Sequence, residues 1–424
     1  TLINKAIFTS CKKNDTCPPW SIKSEKIIHD KKEKQLIYKN AILRIYDFPV
    51  LYFPKFFHPD PSVDRQTGFL KPQVNNSDNL GSSIKIPYYY VVSDNKDFTF
   101  YPNIYDDDKF TIQNEYRQRN KNYEFDADFS LTYNYFSPLL NKKKNFTHFF
   151  SNFTYDLNLP NFTTSKINSK IEKVNDKSYL KLFESVLQNS PLKPTNLNQL
   201  ESNLTLQIYD SIKDFEAGIN IYENLQIDSN DRFQYVLPYY SFYSDYYPKK
   251  IDYGYFTFSS DGNNNLVNTN NLKTKITNNL SFNSFNKISN FGFVNNINLH
   301  LKNLNVVAKN DSLYKSSPQL NLMSLLEVNS KIPMEKNTSL TNKSLTPRVS
   351  LKVNPQDMKD FSSTDRNINI NNIFGINRLG LNETLESGAS LTLGLDYNIQ
   401  SIANEDNYFN INMASVFRNK EENN

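Results

Sequence analysis

The residue types that most often carry catalysis or bind metals are sparse in this chain. Its histidines are scattered: His29, His58, His148 and His300. No zinc-protease, nucleophile-elbow, phosphate-loop or CxxC spacing is present. The acidic run Asp106–Asp108 could bind a divalent ion, but most such runs are solvated turns, and we expect a turn there. The pair Asp261–Gly262 lacks the ligand spacing of a calcium loop, so we expect a turn there as well. The sequence therefore predicts no catalytic, cofactor-binding or metal-binding site, and a protein that is not an enzyme.

Two smaller groups of residues leave alternatives open. Asp60 and Asp64 could bind a metal ion, although capping or pairing with Arg65 is the better interpretation. Cys11 and Cys17 lie close together and are candidates for a disulfide in an oxidising compartment. Two unpaired thiols fit the same pattern equally well.

Two prolines lie inside segments that otherwise read as strands. Pro87 falls within Ile84–Ser93 and Pro102 within Asp97–Tyr105. Proline removes a ladder hydrogen bond and is normally confined to sheet edges or bulges. Both prolines can simply mark strand ends. Alternatively, the first strand of a barrel is built to pair weakly, which makes a seam that opens sideways.

The composition favours strands over helices or disorder. Only 38% of the 424 residues are hydrophobic, but 14% are aromatic, with 27 Tyr and 31 Phe. Such residues favour β-structure and argue against a disordered chain. No apolar run approaches the roughly 18 residues of a membrane-spanning helix, so a membrane protein would have to be a β-barrel. A net charge of +4 without a basic cluster gives no indication of nucleic-acid binding.

Strict alternation of apolar and polar residues is the strongest local pattern. In Asn122–Phe136 the aromatic and aliphatic residues fall on one face, and Glu124, Asp126 and Asp128 fall on the other. A period of two over this length predicts a strand. The pattern recurs in eight further segments: His148–Leu159, Asn203–Tyr209, Phe215–Leu225, Ile251–Ser259, Asn296–Lys302, Arg348–Val353, Ser390–Ile399 and Asn407–Phe417.

The length and aromatic content of these segments favour a transmembrane barrel over a soluble sandwich or solenoid. Several run about 9–13 residues, longer than the roughly 5–6 of soluble strands and long enough to cross a bilayer at a tilt. Tyr and Phe suit the aromatic girdles at the two membrane interfaces. The Asn-rich stretches Asn263–Asn271 and Asn329–Lys343 are predicted to be exposed loops.

Three regions differ in pattern. Residues 1–47 contain short strand-like pieces, residues 48–83 form a proline- and aromatic-rich junction, and residues 84–424 carry the long alternating segments. A run so rich in proline can be neither a helix nor an interior strand, so Phe48–Pro72 is expected to be a packed connector. The residues expected to fix this junction are Pro49, Pro54, Phe56, Phe57, Pro59 and Pro61.

Several blocks of the chain resemble a known family. They are Cys17–Asp30, Leu36–Leu70, Gly81–Tyr105 with Phe110–Arg117, Ser178–Glu184, Phe233–Tyr243, Thr346–Pro355 and Ile373–Tyr397. In order and spacing they resemble LptD, the lipopolysaccharide-assembly outer-membrane proteins also called OstA or Imp, in their alphaproteobacterial form. The junction and first-strand blocks are the most specific.

The resemblance implies an all-β fold, a periplasmic β-jellyroll followed by a large antiparallel barrel in the bacterial outer membrane. It implies lipopolysaccharide transport and insertion into the outer leaflet, with a lipoprotein plug of the LptE type and a periplasmic bridge of the LptA type as partners, and outer-membrane lipid around the barrel. The lipid would pass the apolar jellyroll interior, for which the candidates are Trp20, Ile22, Leu43 and Ile45. It would leave through a lateral gate at Pro87 and Pro102.

The chain departs from the full family pattern at both ends. The first jellyroll strands and the last barrel strands are not found, so we expect a fragment with a partial jellyroll and an incomplete barrel. Family members usually tie the jellyroll to the barrel's end by disulfides, whereas Cys11 and Cys17 can pair locally. A general outer-membrane porin or receptor, and a secreted β-rich surface protein, are the alternatives.

Overall fold

The computed structural model describes residues 2–9, 20–46, 48–60, 63, 65–137, 141–188, 190–358, 368–380, 382–404 and 406–420. Cys11, Cys17, Pro61 and Asp64 lie outside the described residues. The chain divides into two compact units, Thr1–Gln118 with Phe129–Asn145 and Arg119–Asp128 with Phe146–Asn424. Among the described residues, no helix has the length and apolar character needed to cross a membrane.

Most of the described residues form antiparallel β-strands, as the sequence predicts. The strands are β1 (Leu2–Phe8), β2 (Trp20–Asp30), β3 (Gln35–Ile45), β4 (Phe48–Pro59), β5 (Gly68–Phe69), β6 (Gln73–Ser77), β7 (Gly81–Lys85), β8 (Tyr88–Ser93), β9 (Lys96–Tyr105), β10 (Phe110–Arg119), β11 (Tyr123–Ser137), β12 (Lys142–Asp156), β13 (Thr164–Val174), β14 (Gln199–Tyr209), β15 (Lys213–Asn224), β16 (Phe233–Tyr246), β17 (Gly254–Val267), β18 (Asn271–Ser284), β19 (Lys287–Ile288), β20 (Val294–Lys309), β21 (Gln319–Lys331), β22 (Met334–Asn337), β23 (Thr341–Asn354), β24 (Gly388–Ser401) and β25 (Tyr408–Arg418). Two single-turn helices, α1 (Tyr179–Leu182) and α2 (Glu184–Leu187), and a 3-10 turn (Asn230–Arg232) complete the elements.

The first unit begins with a four-stranded sheet in the order β1-β2-β3-β4. Its core consists of Ile22, Ile27, Tyr38 and Ala41, all buried on one face. Opposed pairs such as Ile22 and Leu43 hold β2 and β3 in register. Successive side chains of a strand point to opposite faces of the sheet, so alternating apolar and polar residues confine the core to one side.

The proline-rich run is a strand for half of its length, which differs from the predicted connector. Residues 48–59 form β4, at one edge of the four-stranded sheet. An edge strand needs backbone donors on one side only, so its prolines are tolerated. The ladder also shifts register between Leu43 and Arg44, where Pro49 pairs with Arg44. Only the part after Pro59 connects this sheet to the strands that follow.

The second unit contains a long antiparallel meander. From β12 to β18 each strand pairs with the next, and the order continues through β20, β21, β23, β24 and β25. The short strands β19 and β22 extend two of the hairpins. The predicted all-β class with a large antiparallel sheet is confirmed. Each predicted alternating segment of this region overlaps a strand.

Two stretches that were predicted to be exposed loops are largely strand, so those predictions are wrong. β17 continues through Val267 and β18 begins at Asn271, so most of 263–271 is paired. Asparagines are accommodated there because they hydrogen-bond across strands: the Asn264 Oδ1 accepts from Thr274 at 2.8 Å. In 329–343, β21 runs to Lys331 and β22 pairs with β23.

Candidate functional site

The first barrel-like strand expected at 84–93 is interrupted at Pro87. Its two halves, β7 and β8, both pair with β9, which runs unbroken through Pro102. The Ile86 amide donates to the Pro102 carbonyl at 3.2 Å. Pro87 lacks a donor and restricts the residue before it, which explains the break. The two prolines therefore lie on neighbouring strands, and only Pro87 ends one.

The edge of this interrupted strand that faces away from β9 is covered by the chain just upstream. β5 pairs with β8 through Gly68–Tyr89 and Phe69–Tyr88, and β6 pairs with β7 along its whole length. The Leu70 amide also donates to the Pro87 carbonyl at 2.8 Å. Sequence reasoning missed this pairing because it assigned residues 73–83 to the junction and not to strands. The sequence signal for the β6–β7 hairpin was Gly81, because glycine readily adopts the positive φ that such a turn requires. The φ of Gly81 is +77° in the structure.

Arg65 fastens the connecting segment to the β8–β9 hairpin. Its guanidinium donates to the Tyr89 hydroxyl at 2.9 Å, to the Asp94 carbonyl at 2.6 Å and to the carboxylate of Asp97. Arg117 contacts the other oxygen of Asp97 at 2.7 Å. The expected partners of Arg65 were Asp60 or Asp64, but Arg65 pairs with Asp97.

Asp60 makes a different contact. Its carboxylate lies 2.5 Å from the Nε2 of His29. A donor and an acceptor within hydrogen-bond distance explain the position of Asp60 without a metal ion.

Three of the four candidate lipid-path residues of the four-stranded sheet share one apolar cluster. Ile22 is buried in it, and Trp20 and Leu43 pack against it. Ile45 stands opposite Trp20 in the β2–β3 ladder, but it is 44% exposed and lies at the end of the cluster. Of the junction residues, Phe56 packs on the same cluster, whereas Phe57 is exposed.

The long strands bury polar side chains and expose apolar ones. In the first unit, Phe129, Leu131 and Tyr133 of β11 are 41%, 45% and 54% exposed, while Ser130 and Thr132 between them are buried. The alternation reverses at Asn134, which has φ of +60°, so that Tyr135 is buried.

The second unit repeats the inverted arrangement in its own strands. In β24, Leu391 and Leu393 are exposed, whereas Ser390 and Thr392 are buried. All five of these exposed side chains in β11 and β24 are hydrocarbon or aromatic groups without charge. Water does not favour such a surface, but the hydrocarbon of a bilayer does.

The connection between β13 and β14, residues 175–198, folds onto the buried face of β12, where Tyr179 and Phe183 pack against Phe146. We call it the first connector. Its helices α1 and α2 bury Tyr179, Leu180, Phe183 and Leu187. The Nδ1 of His148 lies 2.6 Å from the Tyr179 hydroxyl, and its Nε2 lies 3.0 Å from the Asp128 carboxylate.

The buried group around His148 is closed to substrates. Ser190 donates to the second oxygen of Asp128 at 2.5 Å, and the side chains of His148 and Asp128 have no exposed surface. A nucleophile and base need access to a substrate, so this cluster holds the first connector in place.

The connection between β23 and β24 spans residues 355–387, and we call it the second connector. Arg378 is fully buried and makes a bidentate pair with Glu386, with N···O distances of 2.5 and 2.6 Å. Arg378 also donates to the Thr392 hydroxyl at 3.0 Å, and Arg418 contacts Glu386 at 2.7 Å. Arg378 belongs to the Ile373–Tyr397 block, for which sequence reasoning assigned no role.

In the described part of the chain, no group of three or more His, Cys, Asp or Glu residues is arranged to hold a metal ion. The acidic run behaves as a turn: Asp107 pairs with Lys109, and Asp108 lies 3.4 Å from Lys143. The features that stand out are therefore the interrupted first strand, the apolar cluster of the four-stranded sheet, and a polar sheet face that carries two connectors.

Comparison with known proteins finds partial matches to one kind of protein. The chain is 38% identical over 103 residues to the LPS-assembly protein LptD of Legionella pneumophila strain Paris, which is 24% of this chain and 12% of that protein. It is 39% identical over 103 residues to LptD of Shewanella denitrificans (24% and 13%) and 30% identical over 124 residues to LptD of Polaromonas sp. JS666 (28% and 15%).

The match thus spans well under a fifth of the length of these curated relatives. No protein-family model matches the chain. Among solved structures, a bacterial polysaccharide outer membrane secretin aligns over 80% of this chain and 92% of its own, with a TM-score of 0.23 and 8% identity. The resemblance to LptD that the sequence motifs indicate is therefore found again in curated relatives, over part of the chain.

Proposed function

We propose that this chain is part of an LptD-like outer-membrane protein that transports lipopolysaccharide and inserts it into the outer leaflet. The observation that carries the proposal is the inverted burial of the long strands, in which apolar side chains face outward and polar side chains face inward. The partial identity to LPS-assembly proteins LptD supports the choice of cargo.

In this proposal the two kinds of surface serve the two halves of an amphipathic lipid. The apolar cluster around Ile22, with Trp20 and Leu43, offers a dry environment for acyl chains. The polar face of the long strands offers hydrogen-bond partners to sugars. Residues 1–59 would lie in the periplasm, residues 60–83 would join them to the barrel, and residues 84–424 would lie in the outer membrane.

The proposed exit is a lateral gate at the interrupted strand β7–β8. In an antiparallel sheet the N–H and C=O of each residue point to one neighbouring strand, and successive residues alternate between the two neighbours. Pro87 removes one such donor at the point where the strand is already broken. Partners of the LptE and LptA types belong to the proposal. A general porin or receptor is the alternative, and the connectors that cover part of the polar face weigh against an open porin.

The proposal is tested in the full-length protein, in cells depleted of the native copy. A variant with Pro87→Ala and Pro102→Ala restores the backbone N–H donors at the gate. We expect this variant to insert normally but to deliver less lipopolysaccharide to the cell surface. Surface lipopolysaccharide is measured by labelling from outside the cell. Pro347→Ala is the matched control, because Pro347 is also within a strand, opposite Leu395, but far along the meander.

Heat-modifiable migration on gels checks that each variant is folded in the membrane. Normal surface delivery by the correctly inserted double variant would remove the gate assignment. A full-length protein recovered in a soluble fraction would overturn the membrane proposal as a whole.

A further inference from the structure

A polar array lies where β20, β21 and β23 run side by side. Directly opposite residues of antiparallel strands share a face of the sheet, which places nine side chains together in three rows. The rows are Val294, Lys331 and Arg348, then Asn296, Asn329 and Ser350, then Asn298, Glu327 and Lys352. The opposite face of the same strands exposes Leu299, Leu326 and Val353. The array therefore belongs to the polar face.

This array lines a cavity of about 420 Å³, to which residues 374–376 of the second connector also contribute. The Lys352 Nζ fixes that segment by donating to the carbonyls of Phe374 and Gly375 at 3.0 and 2.5 Å. The guanidinium of Arg348 covers the ring of Phe374 at 3.9 Å from its centroid. The cavity thus has fixed walls, and its volume falls in the range of roughly 300–1,000 Å³ that is usual for small-molecule sites.

Three asparagines of the cavity wall are held in place by one another. The Asn329 Nδ2 donates to the Asn296 Oδ1 at 3.0 Å, and the Asn296 Nδ2 donates to the Asn286 Oδ1 at 3.1 Å. An amide side chain has two N–H donors and an oxygen that accepts twice, so these contacts leave donors and acceptors for a ligand. Groups that both donate and accept match the hydroxyl groups of a sugar, which do the same.

The cavity also carries a positive charge that is not balanced. Lys331 and Arg348 stand directly opposite each other on β21 and β23. The Arg348 Nε lies 3.2 Å from the Asp396 carboxylate, and Glu327 lies 3.6 Å from Lys352. Within the described ranges of the chain, Lys331 forms no salt bridge with a carboxylate. Like charges directly opposite each other destabilise a sheet, so an anion bound between these two cations is favoured.

A buried hydroxyl group lies in the middle row of the array. Ser350 is 0% exposed, and its Oγ has no hydrogen-bond partner among the residues that the structure describes. It stands directly opposite Asn329, which lines the cavity. Buried polar groups are nearly always hydrogen-bonded, so this hydroxyl indicates that a polar molecule belongs beside it.

From this geometry we propose that the cavity is a binding site for an anionic sugar, a saccharide unit that carries a phosphate or carboxylate group. Lys331 and Arg348 bind the anionic group, and the amides of Asn296 and Asn329 bind the hydroxyl groups. This inference rests on the proposed function, in which the site holds the sugar portion of a transported lipid at one defined place on the polar face. The binding is weak, because a transported molecule has to leave again.

The test measures binding to the purified full-length protein in detergent by ligand-observed NMR. The probes are glucose 6-phosphate, glucuronate, glucose and inorganic phosphate. We expect both anionic sugars to bind, and glucose and inorganic phosphate to bind far more weakly, because each of these lacks half of the contacts.

Substitutions then assign the binding to this cavity. Lys331→Ala is expected to weaken the binding of both anionic sugars about fivefold, the upper end for an exposed ion pair, whereas Lys331→Arg retains the charge and the binding. Asn329→Ala is expected to weaken the binding of both anionic sugars independently of the charge. Lys336→Ala is the matched control, since Lys336 is an exposed lysine of β22 outside the cavity.

Heat-modifiable migration checks that every variant is folded. The site is overturned if neither anionic sugar binds, if inorganic phosphate binds as tightly as glucose 6-phosphate, or if Lys331→Ala has no more effect than Lys336→Ala. Lipopolysaccharide delivery is scored separately in cells. If the sugars bind as expected while the protein proves not to deliver lipopolysaccharide, the site stands and the proposed cargo falls. Delivery by a protein that binds no anionic sugar has the opposite meaning.

Discussion

The substitution Leu393→Arg provides a direct test of whether the exposed apolar face contacts lipid. Leu393 lies near the middle of β24 (Gly388–Ser401) and is 45% exposed, opposite Val349 of β23. Near the bilayer midplane, Arg on the lipid face of a barrel costs about 2–4 kcal/mol. Loss of the cross-strand contact with Val349 adds about 0.2–1 kcal/mol.

In water the same change would have a much smaller effect. An exposed substitution away from special features usually alters stability by within about 0.5 kcal/mol, so the total with the lost contact stays near or below about 1.5 kcal/mol. The expected cost in lipid, about 2–5 kcal/mol, lies above this range. The two environments are therefore distinguishable by one measurement.

The assay is reversible urea unfolding of the full-length protein in phospholipid vesicles, with the folded fraction read from heat-modifiable migration. Leu340→Arg is the matched control, since Leu340 is 73% exposed and lies in the turn before β23. We expect Leu393→Arg to destabilise far more than Leu340→Arg. Equal effects of the two substitutions would refute the lipid-facing assignment of this surface.

Two further predictions concern the second connector. Gly394→Ala forces a Cβ into the ring of Phe374 and should lower the free energy of unfolding by about 1–3 kcal/mol. In the double variant with Phe374→Ala, the loss of stability should be smaller than the sum of the two single losses. Additive losses in urea titrations would contradict the packing of Phe374 against Gly394. Burial alone would raise the pKa of Glu383, but hydrogen bonds from Lys275 and Tyr314 and the nearby lysine charges hold that pKa below its ordinary value of 4.5. The stabilisation is therefore complete above pH 4.5 and is lost as the pH falls through the lower folded-state pKa, so the free energy of unfolding in urea titrations should fall only below pH 4.5. Glu383→Gln should abolish this acid step, and a step at or above pH 4.5 would contradict the assignment.

The period-two pattern was sufficient to predict the long strands because side chains on the two faces of a strand have different surroundings. β11 and β24 coincide closely with their predicted segments. The same rule failed for residues 263–271, because asparagines on both faces of the strand hide the alternation. Their side chains form hydrogen bonds across the β17–β18 ladder, as Asn264 does with Thr274. Composition alone cannot distinguish an Asn-rich strand from an Asn-rich loop.

Proline density misled the prediction for β4 in a different way. The rule that proline excludes an interior strand is correct, but Pro49 and Pro54 lie on an edge strand, which local sequence cannot reveal. Pro87 and Pro102 were identified, yet only the structure shows that Pro87 divides its strand while Pro102 does not.

The connectors were the largest omission. Arg378 and Glu386 are separated by a short stretch without a periodic pattern, and their pairing depends on strands distant in sequence, such as β25. Buried ion pairs of this kind are set by tertiary packing, and no local propensity encodes them. The sequence around Arg378 was recognised as part of a family block, but only the structure shows that Arg378 pairs with Glu386 and Thr392.

The pairing of β5 and β6 with the interrupted strand also affects how this chain meets other chains. An open strand edge presents unpaired backbone groups that recruit further strands and lead to aggregation. Here Ser83–Lys85 pair with a strand on each side, and Tyr88 and Tyr89 pair with Gly68–Phe69. The Val91 amide also donates to the Thr67 hydroxyl at 3.0 Å. The interrupted strand is thus shielded by its own upstream segment, which protects it against mispairing with a neighbouring molecule.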